Sequence, residues 1–321
     1  MPPSPPPTFP SWLALETRAD GARRLTAPPG DSSDQNPAYS PNGAQMVFTR
    51  FDRGYNEGPA ALLLLELATG QITRLTPAED QDNVNLPGSA WNPHNNRIIF
   101  ASDRMESGDV WRVAPDGSDF SRITHHDGKS WYIEPSWSPD GKWIVFETRQ
   151  DGESEDGYVG KIWKGQADGS GLTRLTGDPA FDDRQPNWSP AGDRILFQRR
   201  ELPDGQWDIY TIDPQGGTLR NVTANPASDT DASWSPDGKW IVVSCDYGGL
   251  LLPNIFVYPA KAGTPLRITT TDTHEDGAPS WSPDGQWVSF ESHPGQDEDT
   301  PADLWIIHAP WTAPVTVAPP S

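Results

Sequence analysis

One phrase recurs six times along the chain and limits what it can fold into more than any other feature. It runs Pro37-Ala38-Tyr39-Ser40-Pro41-Asn42-Gly43, Ser89-Ala90-Trp91-Asn92-Pro93-His94-Asn95, Pro135-Ser136-Trp137-Ser138-Pro139-Asp140-Gly141, Pro186-Asn187-Trp188-Ser189-Pro190-Ala191-Gly192, Ala232-Ser233-Trp234-Ser235-Pro236-Asp237-Gly238 and Pro279-Ser280-Trp281-Ser282-Pro283-Asp284-Gly285. The third residue is aromatic in every copy. From Ser40 through Asn92, Ser138, Ser189 and Ser235 to Ser282 the steps are 52, 46, 51, 46 and 47 residues, the period of propeller blades.

An alternating apolar stretch follows each phrase, such as Trp143-Ile144-Val145-Phe146. Pro-Asp-Gly between two such stretches is hairpin chemistry, because Pro presets φ and Gly accepts a positive φ. A second hairpin follows, as at Asp208-Ile209-Tyr210-Thr211-Ile212 before Gln215-Gly216-Gly217, and closes on a phrase like Arg74-Leu75-Thr76. That closing phrase recurs at Arg24-Leu25-Thr26, Arg122-Ile123-Thr124, Arg174-Leu175-Thr176 and Arg267-Ile268-Thr269, and loosely at Asn221-Val222-Thr223. Four short strands make one sheet, which cannot bury both faces alone; sheets stacked around an axis bury one another.

With these residues in view, the chain resembles the TolB-like, or PD40, β-propellers, marked by a Trp-Ser-Pro-Asp-Gly turn, an apolar strand and a later Arg-Leu-Thr strand. The resemblance covers roughly residues 12 to 308. It implies an all-β fold: a six-bladed β-propeller of four-stranded antiparallel blades. The segment before Thr26 supplies a second hairpin without its own first one, so the N-terminal segment is expected to close the ring outermost against 303–308. Residues 1–11 read as a Pro-rich linker, 12–309 as the propeller and 310–321 as a Pro-rich tail. Family membership implies a periplasmic or extracytoplasmic protein, although Met1 to Pro10 lacks the basic and apolar regions of a secretory signal peptide.

Composition narrows the function classes. Against 24 Lys and Arg stand 45 Asp and Glu, a formal charge of -21, which argues against nucleic acid and anionic membrane surfaces as partners. Membrane insertion is not expected either, since no apolar stretch approaches the ~18 residues of a span. The single Cys245 allows neither an intrachain disulfide nor a multi-thiolate metal site. A monomer is expected.

The first strand of each blade should line the axis, so chemistry is sought just before each aromatic. Five residues before it stand Asp34, Leu86, Tyr132, Asp183, Asp229 and Asp276; three before it stand Asn36, Gly88, Glu134, Gln185, Asp231 and Ala278. In a regular strand these positions share a face. Asp34, Asp183, Asp229 and Asp276, with Glu134 and Asp231, would then form an acidic mouth for a basic or neutral peptide, with Ca²⁺ as a candidate ligand. On that reading, replacing Asp183 and Asp229 together with Asn would stabilise the metal-free ring slightly. The alternative is that these Asp anchor the repeat's own loops. Trp131 and Tyr132 depart from the repeat and could form an aromatic shelf at the mouth. The repeated Trp residues are expected to pack blade on blade.

Catalytic signals are weak. No Gly-x-Ser-x-Gly nucleophile elbow occurs, and Gly128-Lys129-Ser130 lacks the earlier Gly of a phosphate loop. The acidic run 151–157 lacks the ligand order of an EF-hand. His125, His126 and His274 fall in lead-in loops on one rim with no fixed spacing. A non-enzymatic scaffold that binds a protein or peptide is therefore the leading expectation. The alternatives are a metal-dependent lyase or hydrolase on a saccharide, and a sensor or interaction domain of a larger protein.

Overall fold

A computed structural model describes residues 16–310 except 78–83, 86–89, 106–107, 127, 129, 152–156, 262 and 296–299. Leu86, Gly88, the linker 1–11 and nearly all of the tail lie outside the described residues.

The described residues form six four-stranded antiparallel sheets and no helix. Five blades use consecutive strands; blade 3, for example, runs Trp131–Trp137, Trp143–Asp151, Tyr158–Gln166 and Thr173–Arg174 from axis to rim. Blade 6 takes His274–Trp281, Trp287–Pro294 and Asp303–His308 and borrows Arg23–Arg24 as its outer strand. Arg23 pairs with Ile306 and Arg24 with Trp305, so the N-terminal segment closes the ring as expected.

The apolar core is divided into six clusters, each shared by two neighbouring blades. Between blades 1 and 2, Val47, Leu62 and Leu64 meet Trp91, Ile98 and Phe100; across the seam, Met46, Phe48 and Leu63 meet Leu304 and Ile306. Both faces of a middle strand are thus covered, which is why Ile144, Val145 and Phe146 are all fully buried. The repeated aromatics join these clusters, as Trp137, Trp188 and Trp281 do. Trp91 also donates its indole N–H to the Ala38 carbonyl of the preceding blade at 3.1 Å.

The two repeated phrases have mechanical roles. At the inner hairpin of blade 3, Ser138 donates to Asp140 Oδ1 at 2.6 Å, Lys142 N–H donates to the same oxygen at 3.1 Å, and Trp143 N–H donates to Ser138 Oγ at 2.9 Å. Gly141 then turns the chain at φ 66°. Asp140→Ala is expected to lower stability by about 1 kcal/mol, the usual net worth of such bonds, readable as a shifted urea midpoint with an unchanged slope. The closing phrase ties the fourth strand to the third: Thr124 Oγ1 and Arg122 donate to Asp109 at 2.8 and 2.5 Å, Arg267 reaches Asn254 at 2.8 Å, and Arg24 reaches Asp303 at 2.7 Å.

Candidate functional site

Each described inner strand with a register shift is broken by a β-bulge just before its aromatic, between Gln35 and Ala38, Ile133 and Ser136, Arg184 and Asn187, Thr230 and Ser233, and Gly277 and Ser280. At its centre stand Asn36, Glu134, Gln185, Asp231 and Ala278, all left-handed with φ between 45° and 55°. Non-glycine residues hold that conformation at a cost of about 1 kcal/mol or more. A bulge re-aims side chains, and here it separates the two positions that a regular strand would place on one face.

The expected double acidic ring is therefore not what forms. Asp34, Asp183, Asp229 and Asp276 are fully buried inside the blades and do not line the axial cavity. Arg50 grips Asp34 with Nε at 2.5 Å and NH2 at 2.8 Å, and Arg199 grips Asp183 in the same way at 2.5 and 3.0 Å. Asp276 receives both Arg18 NH groups at 2.9 Å and Ser292 Oγ at 2.7 Å. Asp229 accepts from Tyr258 and Asn225 at 3.1 and 3.0 Å. These four are anchors of the repeat.

The bulge residues turn to the axis instead. Asn36, Glu134, Gln185, Asp231 and Ala278 line a cavity of about 400 Å³ together with Tyr55, Asn56, Asp103, Trp131, Ile133, Arg149 and Glu291. A smaller cavity of about 30 Å³ adjoins it between the same bulges. Trp131 stands at its rim, 42% exposed. Tyr132 does not join it as a shelf: its ring packs on Phe146 with centroids 5.4 Å apart, within the cluster between blades 2 and 3. The opposite mouth is an apolar space of about 280 Å³ ringed by the repeated aromatics and prolines.

Tyr55, Arg149 and Glu291 escaped sequence reasoning, although one signal was present. Nine residues after Ser138, Ser189 and Ser282 stand Glu147, Gln198 and Glu291, each directly following the buried Phe of its strand. Each accepts the bulge N–H of the next blade: Asn36 N–H to Glu291 Oε2 at 2.8 Å, Gln185 N–H to Glu147 Oε2 at 3.2 Å, and Asp231 N–H to Gln198 Oε1 at 3.1 Å. A bulge leaves a backbone donor without its ladder partner, and a buried donor needs one. Tyr55, from the loop between the second and third strands of blade 1, donates to Glu291 Oε1 at 2.6 Å.

Burial pushes the Glu291 carboxyl up to about 7, opposed by the Tyr55 and Asn36 bonds and assisted by Asp231 and Glu275. Burial also raises Asp231, with Gln185 and Thr230 pulling it back. Burial raises Glu147 in turn, opposed by Arg149 and Arg184; Arg149 Nε donates to it at 2.9 Å. The site's cation is thus already engaged.

The histidines do not converge. His126 Nδ1 lies 2.5 Å from Asp109 Oδ2 and reinforces that blade's outer brace, His274 Nδ1 lies 2.9 Å from Thr273 Oγ1, and His125 is exposed. Among the described residues no group of three or more His, Cys, Asp or Glu could hold a metal ion.

Comparison with known proteins agrees with this architecture. The PD40 family model, described as the TolB beta propeller domain, matches residues 14–202 and 185–298. The chain belongs to the TolB β-propeller family. A protein of Agrobacterium fabrum described as uncharacterised is 29% identical over 190 residues, covering 56% of this chain and 59% of its own length. A solved structure of a putative TolB from Agrobacterium tumefaciens superposes with a TM-score of 0.61 at 19% identity, over 89% of this chain and 93% of that one. An oligogalacturonate lyase in complex with manganese superposes with a TM-score of 0.59 at 17% identity, over 90% and 93%. At such identities the likeness is one of fold, and a propeller hosts unrelated activities.

Proposed function

We propose that this TolB-family propeller is a non-enzymatic recognition module of the periplasm or another extracytoplasmic space, and that it takes a protein or peptide partner on the face where the axial cavity opens. The observation that carries this reading is the cavity's construction. Its polar groups are fixed by backbone bulges and by bonds from the neighbouring blade, which is the preorganisation a binding site needs. The hydroxyl bonded to a carboxylate there, Tyr55 on Glu291 at 2.6 Å, acts as a brace between blades 1 and 6. The lyase alternative has the fold of a neighbour in its favour, but the charged groups lining this cavity are four acids against one arginine, a balance that disfavours an anionic saccharide.

Selection from a displayed random peptide library on the immobilised protein tests the reading. Enriched peptides should lose at least ~10-fold in affinity to Trp131→Asp, which puts a charge on the rim. Failure of any peptide to enrich, or turnover of oligogalacturonate in the presence of Mn²⁺, would overturn it.

A further inference from the structure

We propose that the axial cavity receives a primary ammonium group, presented as a lysine side chain by a polypeptide that docks on the surrounding rim. This rests on the recognition reading above and names what the cavity recognises.

The first argument is a count of the groups that face the space. Glu134, Asp231, Glu291 and Asp103 bring four carboxyl groups, against which stands Arg149, itself bonded to Glu147. Gln185 donates to Asp231 through its amide, and its Oε1 is buried with no hydrogen-bond partner. The charged side chains of the lining are thus mostly acidic, although Gln35, Asn36, Asn56 and Tyr55 also carry donors. A ligand that brings positive charge offsets this excess of acidic groups.

The second argument separates kinds of cation. Ca²⁺ needs six to eight oxygens within about 2.3–2.6 Å of one point, and the carboxylates here do not converge in that way. They are spread around the ring because each comes from a different blade. An ammonium donates three hydrogen bonds and so needs about three acceptors around it instead of six to eight. A guanidinium favours planar, bidentate pairing with one carboxylate, whereas here the acceptors surround the axis.

The third argument concerns what carries the ammonium. Trp131, Phe51 and Ile133 line the upper wall, an apolar sleeve for an aliphatic stem. Met105, Tyr247 and Leu251 are exposed in the loops between the second and third strands of blades 2 and 5, the loop class that carries Tyr55 and Asp103 to the cavity, and exposed Tyr158 opens the third strand of blade 3. Apolar groups around a polar hole fit a polypeptide that covers the rim while one basic side chain enters.

The test uses N-acetylated peptides from the library selection, so that no α-amine competes. Enriched sequences should share one Lys. Replacing it with norleucine, which keeps the stem and removes the charge, should weaken binding ~10–100-fold, the range for a charged hydrogen-bonding group. Asp231→Asn should weaken the Lys peptide ~10-fold while leaving the norleucine peptide unchanged, and Glu134→Gln serves as a second variant with melting temperature as the folding control. Enriched peptides without Lys, or equal losses for both peptides, would overturn this inference and leave the recognition module standing. Displacement of the Lys peptide by CaCl₂ but not by choline chloride of equal ionic strength would assign the cavity to a metal cation instead. No enrichment at all would remove both readings.

Discussion

Asp183→Ala is expected to destabilise the protein by about 3–5 kcal/mol, because it leaves the Arg199 guanidinium buried without its counter-charge. Both side chains are inaccessible, Asp183 completely and Arg199 at 7%. Arg199 also stacks over Phe181, with its guanidinium carbon 4.6 Å from the ring centroid. A melting temperature lower by roughly 10 °C should follow for a chain of this size. Asp183→Asn should destabilise as well, since an amide offers an NH₂ group where the guanidinium needs an acceptor. This reverses the expectation drawn from the sequence, in which neutralising Asp183 and Asp229 relieved a crowded mouth. Replacing both partners with apolar residues, as in Asp183→Leu with Arg199→Met, should recover most of the loss. A single variant as stable as the parent would show that the ion pair is dispensable.

Glu291→Gln is expected to flatten the pH dependence of stability between about 4.5 and 7. The carboxyl sits at about 7 in the folded protein against an ordinary value of 4.5. The folded state therefore holds this proton more tightly than the unfolded chain does. Its contribution is fully present below 4.5 and is lost as pH rises to about 7, by about 3 kcal/mol in total. The groups facing it are Tyr55 and Asn36 from blade 1, Asp231 from blade 5 and Glu275 on its own blade. Glutamine keeps an acceptor for one of the two bonds and carries no charge, so above pH 7 the variant should be the more stable form. Denaturant titrations at a series of pH values measure this directly; an unchanged slope between 4.5 and 7 would contradict it.

The ring was legible because its signals are local and repeated. Pro-Asp-Gly specifies a hairpin wherever it stands, and the surplus Arg24-Leu25-Thr26 phrase identified the closing strand before any coordinates were needed. The site was legible only in part, for a geometric reason. Facing rules for strands assume an unbroken ladder, and the bulge at Asn36, Glu134, Gln185, Asp231 and Ala278 breaks it. Glu134 and Asp231 reach the cavity as expected and Trp131 reaches its rim, while the four Asp two residues upstream of the bulges or their equivalents are turned into the blades. Asn and Asp tolerate a positive φ better than most residues, so Asn36 and Asp231 carried a hint of the bulge. Tyr55 had no such hint, because a loop residue meets blade 6 only through ring closure.

That closure also sets how the molecule bears load. Arg23 pairs with Ile306 and Arg24 with Trp305, while the chain before them folds back, Thr17 bridging Arg23 and the Arg24 N–H donating to the Glu16 carbonyl at 3.1 Å. Tension on the N-terminal end would therefore load this turn before it reached the two backbone pairs. Ahead of the pair that pull meets Arg18, which holds Asp276 and lies over Trp305 at 4.9 Å. The seam between blades 1 and 6 is thus the place where a pull on the ends would open the circle, while the five blades with continuous strands stay intact.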